Sequence, residues 1–591
     1  MSILSTSSIN NLVYNYEARE RNKLLSPLQS RKSTYERRNT SYSDLSSKLS
    51  SLKSLLTNFK LTGNESIFAS KSTTTSNSSF ITASATATAA ASSYELFINQ
   101  MARSDLAVSH EMTSDTANAI TGSHTFQIKT GDGATGEYVS NIEVDFEAGE
   151  TNQTMMEKIQ NAINSDKAIV SSTEKVAADS YSGGTSTFTI DLGGTETEIT
   201  VNGGGTYEEL IDEIILEISE NVDGLTAEKV SDSGNVSLKL TVNDSEDYVT
   251  ISNTSGFDLV ADLGVEVTKE KGASGIVSAS VFTPKSGFHQ FSITSKNTGL
   301  DYRIKDLSDD SGSALSQLGL NLGTSRTAFD QSADPDTPGF VYNDITEANN
   351  LLNSKIKFNG LDIQKNSNDI DDLVNGVTFD LHSSMQDTDN NVSIGVANNT
   401  SDVKSQIESF ITKFNDIYTY IRTSSESNDG RRGVFSGDSN ARSILSSLQS
   451  AAYTQVTGLP SSQASYLSQI GISFDYQTGL KIADSDLLET KLKENVGEVE
   501  SLFNSTNGIA NTLYDKINPY LGADGYIATA KSSLDSTLSY LNDRIDSAEK
   551  RIEKSAGVLR NRYQQLQSQL ANLYQSQSIF SIGTGGQESY F

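Results

Sequence analysis

The residue types able to do chemistry are few in this chain and stand far apart. The four histidines, His110, His124, His289 and His382, form no HExxH and no other metal-ligand spacing. They read as surface or packing histidines. The chain has no cysteine, which excludes disulfides, zinc-thiolate sites and a thiol nucleophile. The glycine-rich "GGTETEITVNGGG" lacks the lysine of a phosphate-binding loop and opens no phosphate-binding helix, so it reads as a hairpin with a loop. "DPDTPG" at 334–339 imitates the first half of a calcium loop, but the twelfth position is Ile345 where glutamate is needed. "QDTDNN" at 386–391 sets Asp387, Asp389 and Asn391 alternately, without the glycine and the distant glutamate, and reads as a polar loop. No Ser/His/Asp constellation stands out. The expectation is a protein that is not an enzyme, with no catalytic residue, no metal and no cofactor.

The elements that could carry a different function lie at the two ends. Leu538, Ile545, Ile552, Leu559, Leu566, Leu573 and Phe580 are seven apart on what reads as one long helix. Their companion positions run Leu534, Leu541, Ala548, Ser555, Arg562, Gln569 and Ser576, apolar at first and polar later. At the other end Leu28, Tyr35, Tyr42, Leu49 and Leu56 are seven apart, with Leu24, Arg31, Arg38, Leu45, Leu52 and Phe59 beside them. From Tyr42 onward both seam positions are apolar: Tyr42, Leu45, Leu49, Leu52, Leu56 and Phe59. That spacing is a coiled-coil seam. It predicts an intramolecular pairing of Tyr42–Phe59 with Leu534, Leu538, Leu541, Ile545 and Ile552. The outer positions Leu559, Leu566, Leu573 and Phe580, with Leu24 and Leu28, are left as candidates for docking on a partner. At 1.5 Å per residue, residues 534–580 span roughly 70 Å, longer than one compact domain.

Composition agrees with an extended, polar, multidomain chain. Of 591 residues 35% are hydrophobic, and the formal net charge is −30. Residues 1–60 hold ten Lys and Arg against four Asp and Glu, and residues 531–591 hold seven against six. The acidity therefore lies in the middle, which argues against nucleic acid as a partner because like charge repels phosphates. The mildly basic ends read as a solvated helical face or as a docking surface for an acidic partner. The start "MSILSTSSINNLVYNYEARER" has no charged n-region and no apolar h-region, so no cleaved leader is expected. No run of about 18 apolar residues predicts insertion in a membrane.

Between the ends the pattern is β-rich. "YELFINQMA", "SHTFQIKT" and "NIEVDFEAG" read as strands and "TMMEKIQNAINSD" as a helix. The order then recurs: "STFTIDLGG" and "TETEITVNGGG", the helix "TYEELIDEIILEISENV", and three strands through "DYVTISNT". The first unit finds its closing strands only after residue 271, in "GIVSASVFT", "GFHQFSITSKN" and "LDYRIKDL". Residues 167–271 are thus expected to be a domain inserted in a related one. Residues 324–346, with Pro335 and Pro338, read as a loop. Asn359-Gly360 between alternating apolar residues signals a type I′ hairpin. From Ser401 the period is helical through Val403, Ile407, Phe410, Ile411, Phe414, Ile417, Tyr418 and Ile421, and further helices are expected at 439–453 and 484–503. The fold class is α+β and multidomain.

"KIKFNGLDIQKNSNDIDDLVNGVTFDLHSS" carries Asn359, Gly360, Asn368, Asp372, Gly376, Val377, Thr378 and Leu381 in a pattern that resembles the flagellar hook-associated protein 2, or filament cap, family. The resemblance continues in order through Phe410 and Asn415, Gly437 and Asp438, Gly471, Gly479 and Leu480, and "VESLFN". It is looser in "INNLVYNYEARERNKLLSPLQSRKSTYERR", where the Gly-Leu-Asp usual near the family's start is missing. The resemblance implies a ring of copies, a pentamer, seated on the growing end of a flagellar filament. Its partners would be flagellin, the hook–filament junction protein and, before secretion through the flagellar channel, an export chaperone. It implies seven segments. Residues 1–40 would be a flexible helical terminal segment and 41–68 the first helix of a leg domain. Residues 69–166 and 272–346 would form a β-rich plate domain, and 167–271 an outer plate domain inserted in it. Residues 347–533 would complete the leg, and 534–591 would be a helix running from the leg coiled coil into the terminal domain. The competing readings are an extracellular adhesin for mucin or host surfaces, and a hook–filament junction protein that polymerises by itself.

Overall fold

The computed structural model describes residues 5–346, 349–427 and 432–583, with side chains to residue 578. The chain divides into two compact units, Met1–Ser72 with Asn398–Phe591, and Thr73–Ala397.

The first unit is helical. A first helix, Thr6–Leu24, starts on Ser5, whose hydroxyl accepts from the Ser8 N–H. A second helix, Ser26–Phe59, follows after Leu25 alone, with a proline in its first turn. The segment after Ser401 forms the helix Thr400–Ser425, capped by Asn399, and all eight of its predicted apolar positions are buried. Helix Ser439–Tyr453 is capped by Asp438. The expected helix over 484–503 is two helices, Ser485–Glu494 and Val496–Asn504. Asn495, at φ −144° and ψ 54°, breaks the run between them. A hairpin of Ile472–Asp475 with Gly479–Ile482 and a helix Ile509–Ile517 complete the body. One core gathers side chains from the second helix and every later element named here around Phe59, Phe410, Phe414 and Phe503, while the first helix contributes none. The closing helix runs from Tyr526 to Gly583, 58 residues, beginning before the boundary expected at 534. Residues 1–40, expected to be a flexible helical segment, are helical over nearly all of their described length.

The second unit is built of sheets over three cores. One core draws on residues 107–163 and 273–340, another only on residues 168–265. The third joins Ile81–Ile98 with Ile356–Val396. Strand Ser92–Gln100 pairs on one side with Ser354–Phe358 and on the other with Val392–Asn398, while Val377–Leu381 pairs with Ile81–Ala85. These ladders correct the boundary at 347: residues 354–397 belong with the sheets, and the helical unit resumes only at Asn398. Sequence order hid this because the strands that complete the sheet lie more than 250 residues upstream. The hairpin Ser354–Lys365 turns at Asn359 and Gly360, both with positive φ (48° and 86°), as a type I′ turn requires.

A seven-stranded sheet runs through both of the other cores. Its order is Thr195–Val201, Ser186–Leu192, Tyr248–Gly256, Val267–Lys271, Glu137–Phe146, Gly122–Gly131 and Ile304–Ser311. Among the described residues a single parallel pair, Glu270 with Val139, joins the strands of 186–271 to the rest. The chain crosses this neck twice. On the way out, Asp166 follows helix Asn152–Ser165, and its Oδ2 accepts from the Ala273 N–H at 2.7 Å. On the way back, both oxygens of the Glu270 carboxylate accept from Asn141 Nδ2, at 3.0 and 3.2 Å. Gly272 sits so close that a Cβ there would meet the Asp166 carbonyl at 2.7 Å. Lys271, buried beside the Tyr138 ring, faces Glu246 at 3.7 Å, and Lys296 pairs with the same carboxylate.

Burial pushes the Asp166 carboxyl up to about 6, against hydrogen bonds from Ala273 and Lys167. Burial pushes Glu270 up to about 7, with the Asp166 charge adding to the rise. Each folded-state value lies above the unfolded one, so the neck is firmest below the ordinary carboxylate range and weakens as pH rises through about 6 and 7. Hydrogen exchange at residues 166–168 and 270–274, corrected for intrinsic rate, is expected to quicken between about pH 5 and pH 8. Glu270→Gln should flatten that profile and stabilise the protein by about 1–3 kcal/mol at the upper end. An unchanged profile in that variant would refute the assignment.

Candidate docking surface on the paired terminal helices

Three contacts fix how the terminal helices lie. Lys531 Nζ donates to Ser43 Oγ at 2.7 Å, Asn39 Nδ2 donates to Asp535 Oδ1 at 2.7 Å, and Arg21 stands 3.7 Å from Glu549. Steps toward the N-terminus on one strand of the pair match steps toward the C-terminus on the other, so the helices are antiparallel. This register moves the predicted pairing. Tyr42 lies near the start of the closing helix, and Ile552 lies beside the first helix rather than beside Tyr42–Phe59.

The Tyr42–Phe59 seam is buried, but mostly against other elements. Phe59 stacks on Phe503 at 5.0 Å and meets Phe410 edge-on at 6.1 Å, while Tyr42 meets Phe435 edge-on at 5.4 Å. Leu45, Leu49, Leu52 and Leu56 are in the same core, to which the closing helix contributes Ile527 and Leu534. Of the other closing-helix positions, Leu541 and Ile552 are buried, and Leu538 and Ile545 are half-buried.

The outer positions divide. Leu28 is buried and Leu24 half-buried, so these two docking candidates are largely covered within the chain. Leu559 is half-buried, while Leu566 is 43% and Leu573 62% exposed. The Phe580 side chain lies outside the described residues. A cluster the sequence reading missed pins the first helix to the closing helix: Ile9 and Val13 with Ala556, flanked by Tyr16 and Tyr563. Ile9, Val13 and Tyr16 stand at i, i+4 and i+7, a helical stripe too short for a heptad search to register.

Arg38, which breaks the seam in the sequence, has a partner 400 residues away. Its Nη2 donates to Asp438 Oδ2 at 2.6 Å, and the Tyr42 hydroxyl donates to the same oxygen. The second oxygen, Oδ1, accepts from the Ala441 N–H at 3.0 Å and starts helix Ser439–Tyr453. One buried carboxylate thus ties the second helix to the body. Burial, with the hydrogen bond to Asp438, pushes the Tyr42 hydroxyl up to about 12. Burial would raise Asp438, but the bonds from Tyr42 and Arg38 outweigh it and hold the carboxyl below its ordinary value.

Among the described residues no group of three or more His, Asp or Glu side chains is placed to hold a metal ion. His124 Nδ1 accepts from the Ser313 N–H, His289 and His382 contact threonine hydroxyls, and His110 is half-buried, its pKa lowered by burial. No described helix is long and apolar enough to cross a membrane.

Asp438→Ala is expected to cost about 3 kcal/mol, because it leaves the buried Tyr42 hydroxyl and the first N–H groups of a helix unpaired. The folded carboxyl value is depressed, so the contribution is present above the unfolded value and is lost as pH falls through the folded one. Thermal unfolding should show the gap between wild type and variant closing as pH falls below the ordinary carboxylate range. Equal melting at neutral pH would refute the role.

Comparison with known proteins identifies the family. Residues 5–105 match the family model for the flagellar hook-associated protein 2 N-terminus, and residues 352–575 match that for its C-terminus. Together these cover more than half the chain. The polar flagellar hook-associated protein 2 of Vibrio parahaemolyticus is 28% identical over 242 residues, covering 39% of this chain and 36% of that protein. The A-type flagellar hook-associated protein 2 of Pseudomonas aeruginosa is 23% identical over 354 residues, covering 59% of this chain and 71% of that protein. The chain thus spans about a third of the first relative's length and about seven-tenths of the second's. The D1-D2-D3 domains of the flagellar cap protein FliD from Escherichia coli superpose with a TM-score of 0.45 at 18% identity, covering 84% of this chain and 99% of that one. With its two matched ends flanking the β-rich middle, this chain belongs to the flagellar hook-associated protein 2 family.

Proposed function

We propose that this chain caps the growing end of a bacterial flagellar filament, where a ring of copies, five in number, retains exported flagellin and promotes its folding and insertion. The observation that carries the reading is the family match at both ends of the chain, over the segments that form the paired terminal helices. The partners are further copies of the chain, flagellin, the hook–filament junction protein beneath the filament and an export chaperone before secretion.

The terminal helices suit transient docking. Up to Ala556 the pair is held by buried side chains, and beyond it Leu566 and Leu573 stay exposed on the closing helix. Burying a whole leucine is worth about 1.5–3 kcal/mol, so covering two gives only a few kcal/mol before the cost of association. Such a contact forms and releases readily, as a cap that moves with each added subunit requires.

Deletion of residues 560–591 removes this edge and Tyr563 but leaves Ile9, Val13 and Ala556. The body is expected to stay folded by circular dichroism, while unassembled flagellin accumulates in the medium. Normal filaments from the truncated protein would overturn the reading. Electron microscopy of the purified protein should show closed rings, and self-assembled fibres would favour a filament or junction protein instead.

A further inference from the structure

Where the first and second helices meet at Leu25, a groove of about 470 Å³ opens between them and the closing helix. The break follows from Pro27, which has no N–H to offer the Lys23 carbonyl. The floor is Leu24 and Leu28, kept low on the other side by Ser547 and Ala548. Lys23 and Arg31 stand on one wall, Arg544 and Arg551 on the other. No carboxylate lines the groove. Among the described residues none of the four cations has an ion pair or hydrogen bond, although Arg21 beside them pairs with Glu549, and Arg544 stands 5.7 Å from the Tyr540 ring. In a chain of net charge −30, this is a concentration of unpaired positive charge over an apolar floor.

The dimensions select the occupant. The cations on each wall are seven or eight residues apart, about 11–12 Å of helix, too far for one small anion to bridge. Two antiparallel helices leave a groove that a third helix can enter at the usual 8–10 Å spacing. The apolar floor and the acidic chain disfavour nucleic acid. Arginine forks match carboxylates on a rigid helix face. We infer that the groove receives an acidic amphipathic helix from an arriving subunit, its apolar edge on the part of Leu24 left open beside the buried Leu28, and carboxylates on both sides reaching the four cations. This rests on the capping reading and adds the chemistry of what is held.

The test uses the full chain and a synthetic 20-residue alanine-based helix with leucines at helical spacing between two rows of glutamate, followed by fluorescence anisotropy. The peptide is expected to bind, and to weaken about tenfold against Arg544→Glu with Arg551→Glu, two surface charge pairs reversed. Added salt should weaken it, and the control Lys516→Glu should not. Absence of binding, an unchanged affinity in the double variant, equal binding of the same peptide with glutamine rows, or equal competition by a DNA oligonucleotide would each overturn the inference. So would self-association of the protein that the double variant abolishes, which would make a second copy the occupant. Each of these outcomes leaves the flagellin-release readout of the truncation untouched, so the two readings fail separately.

Discussion

The antiparallel register of the terminal helices determines which side chains the rest of the chain can use. Ser43 against Lys531 and Asn39 against Asp535 set it near the body, and Arg21 with Glu549 keeps it farther out. Individually these exposed or half-exposed polar contacts are weak. They act through what they align. With this register Leu534 enters the main core and Ala556 meets Ile9 and Val13. A slip of one helical turn would take both away together, at a few kcal/mol for the apolar surface alone. The same register leaves the end of the second helix without a closing-helix partner, so Phe59 is free to stack on Phe503.

Asp438 supplies what apolar packing cannot, a single allowed position for the second helix. A row of leucines tolerates a shift along the helix with modest loss, because one leucine replaces another. A carboxylate with one oxygen on a helix N–H and the other on Arg38 and Tyr42 does not. Any shift leaves a buried charge unpaired, which costs more than the pair contributes. Direction and register are therefore set by a polar contact, and stability by the leucines around it.

How much of this was legible in the sequence follows from the range of each interaction. Local periodicity carried the helix after Ser401, with its eight buried positions, and turn chemistry carried Asn359-Gly360. Both depend on neighbours a few residues apart. The partner of Arg38, the sharing of a sheet between 92–100 and 354–398, and the register of the terminal helices depend on residues hundreds of positions apart. A single sequence does not encode those pairings in any pattern readable along the chain. Arg38 therefore looked like a fault in a seam, and Leu24 and Leu28 looked free when they lie against the closing helix. The break at Asn495 was missed for another reason: the apolar period continues across it, and only the backbone there departs from the helix.

The distribution of burial along the terminal helices bears on how one chain can hold and release. Apolar burial is dense from Tyr42 to Phe59, thins to scattered positions along the paired segment, and ends at Ala556. Hydrophobic stabilisation scales with area removed from water, so the inner end is anchored firmly and the outer end weakly. Making every outer position apolar would strengthen the pair but remove the gradient. The polar companions Ser555, Arg562 and Gln569 keep it, since none of them can join a dry seam without a partner for its polar atoms. A partner that covers the exposed parts of Leu566 or Leu573 therefore displaces water, and it can leave without unfolding what lies nearer the body.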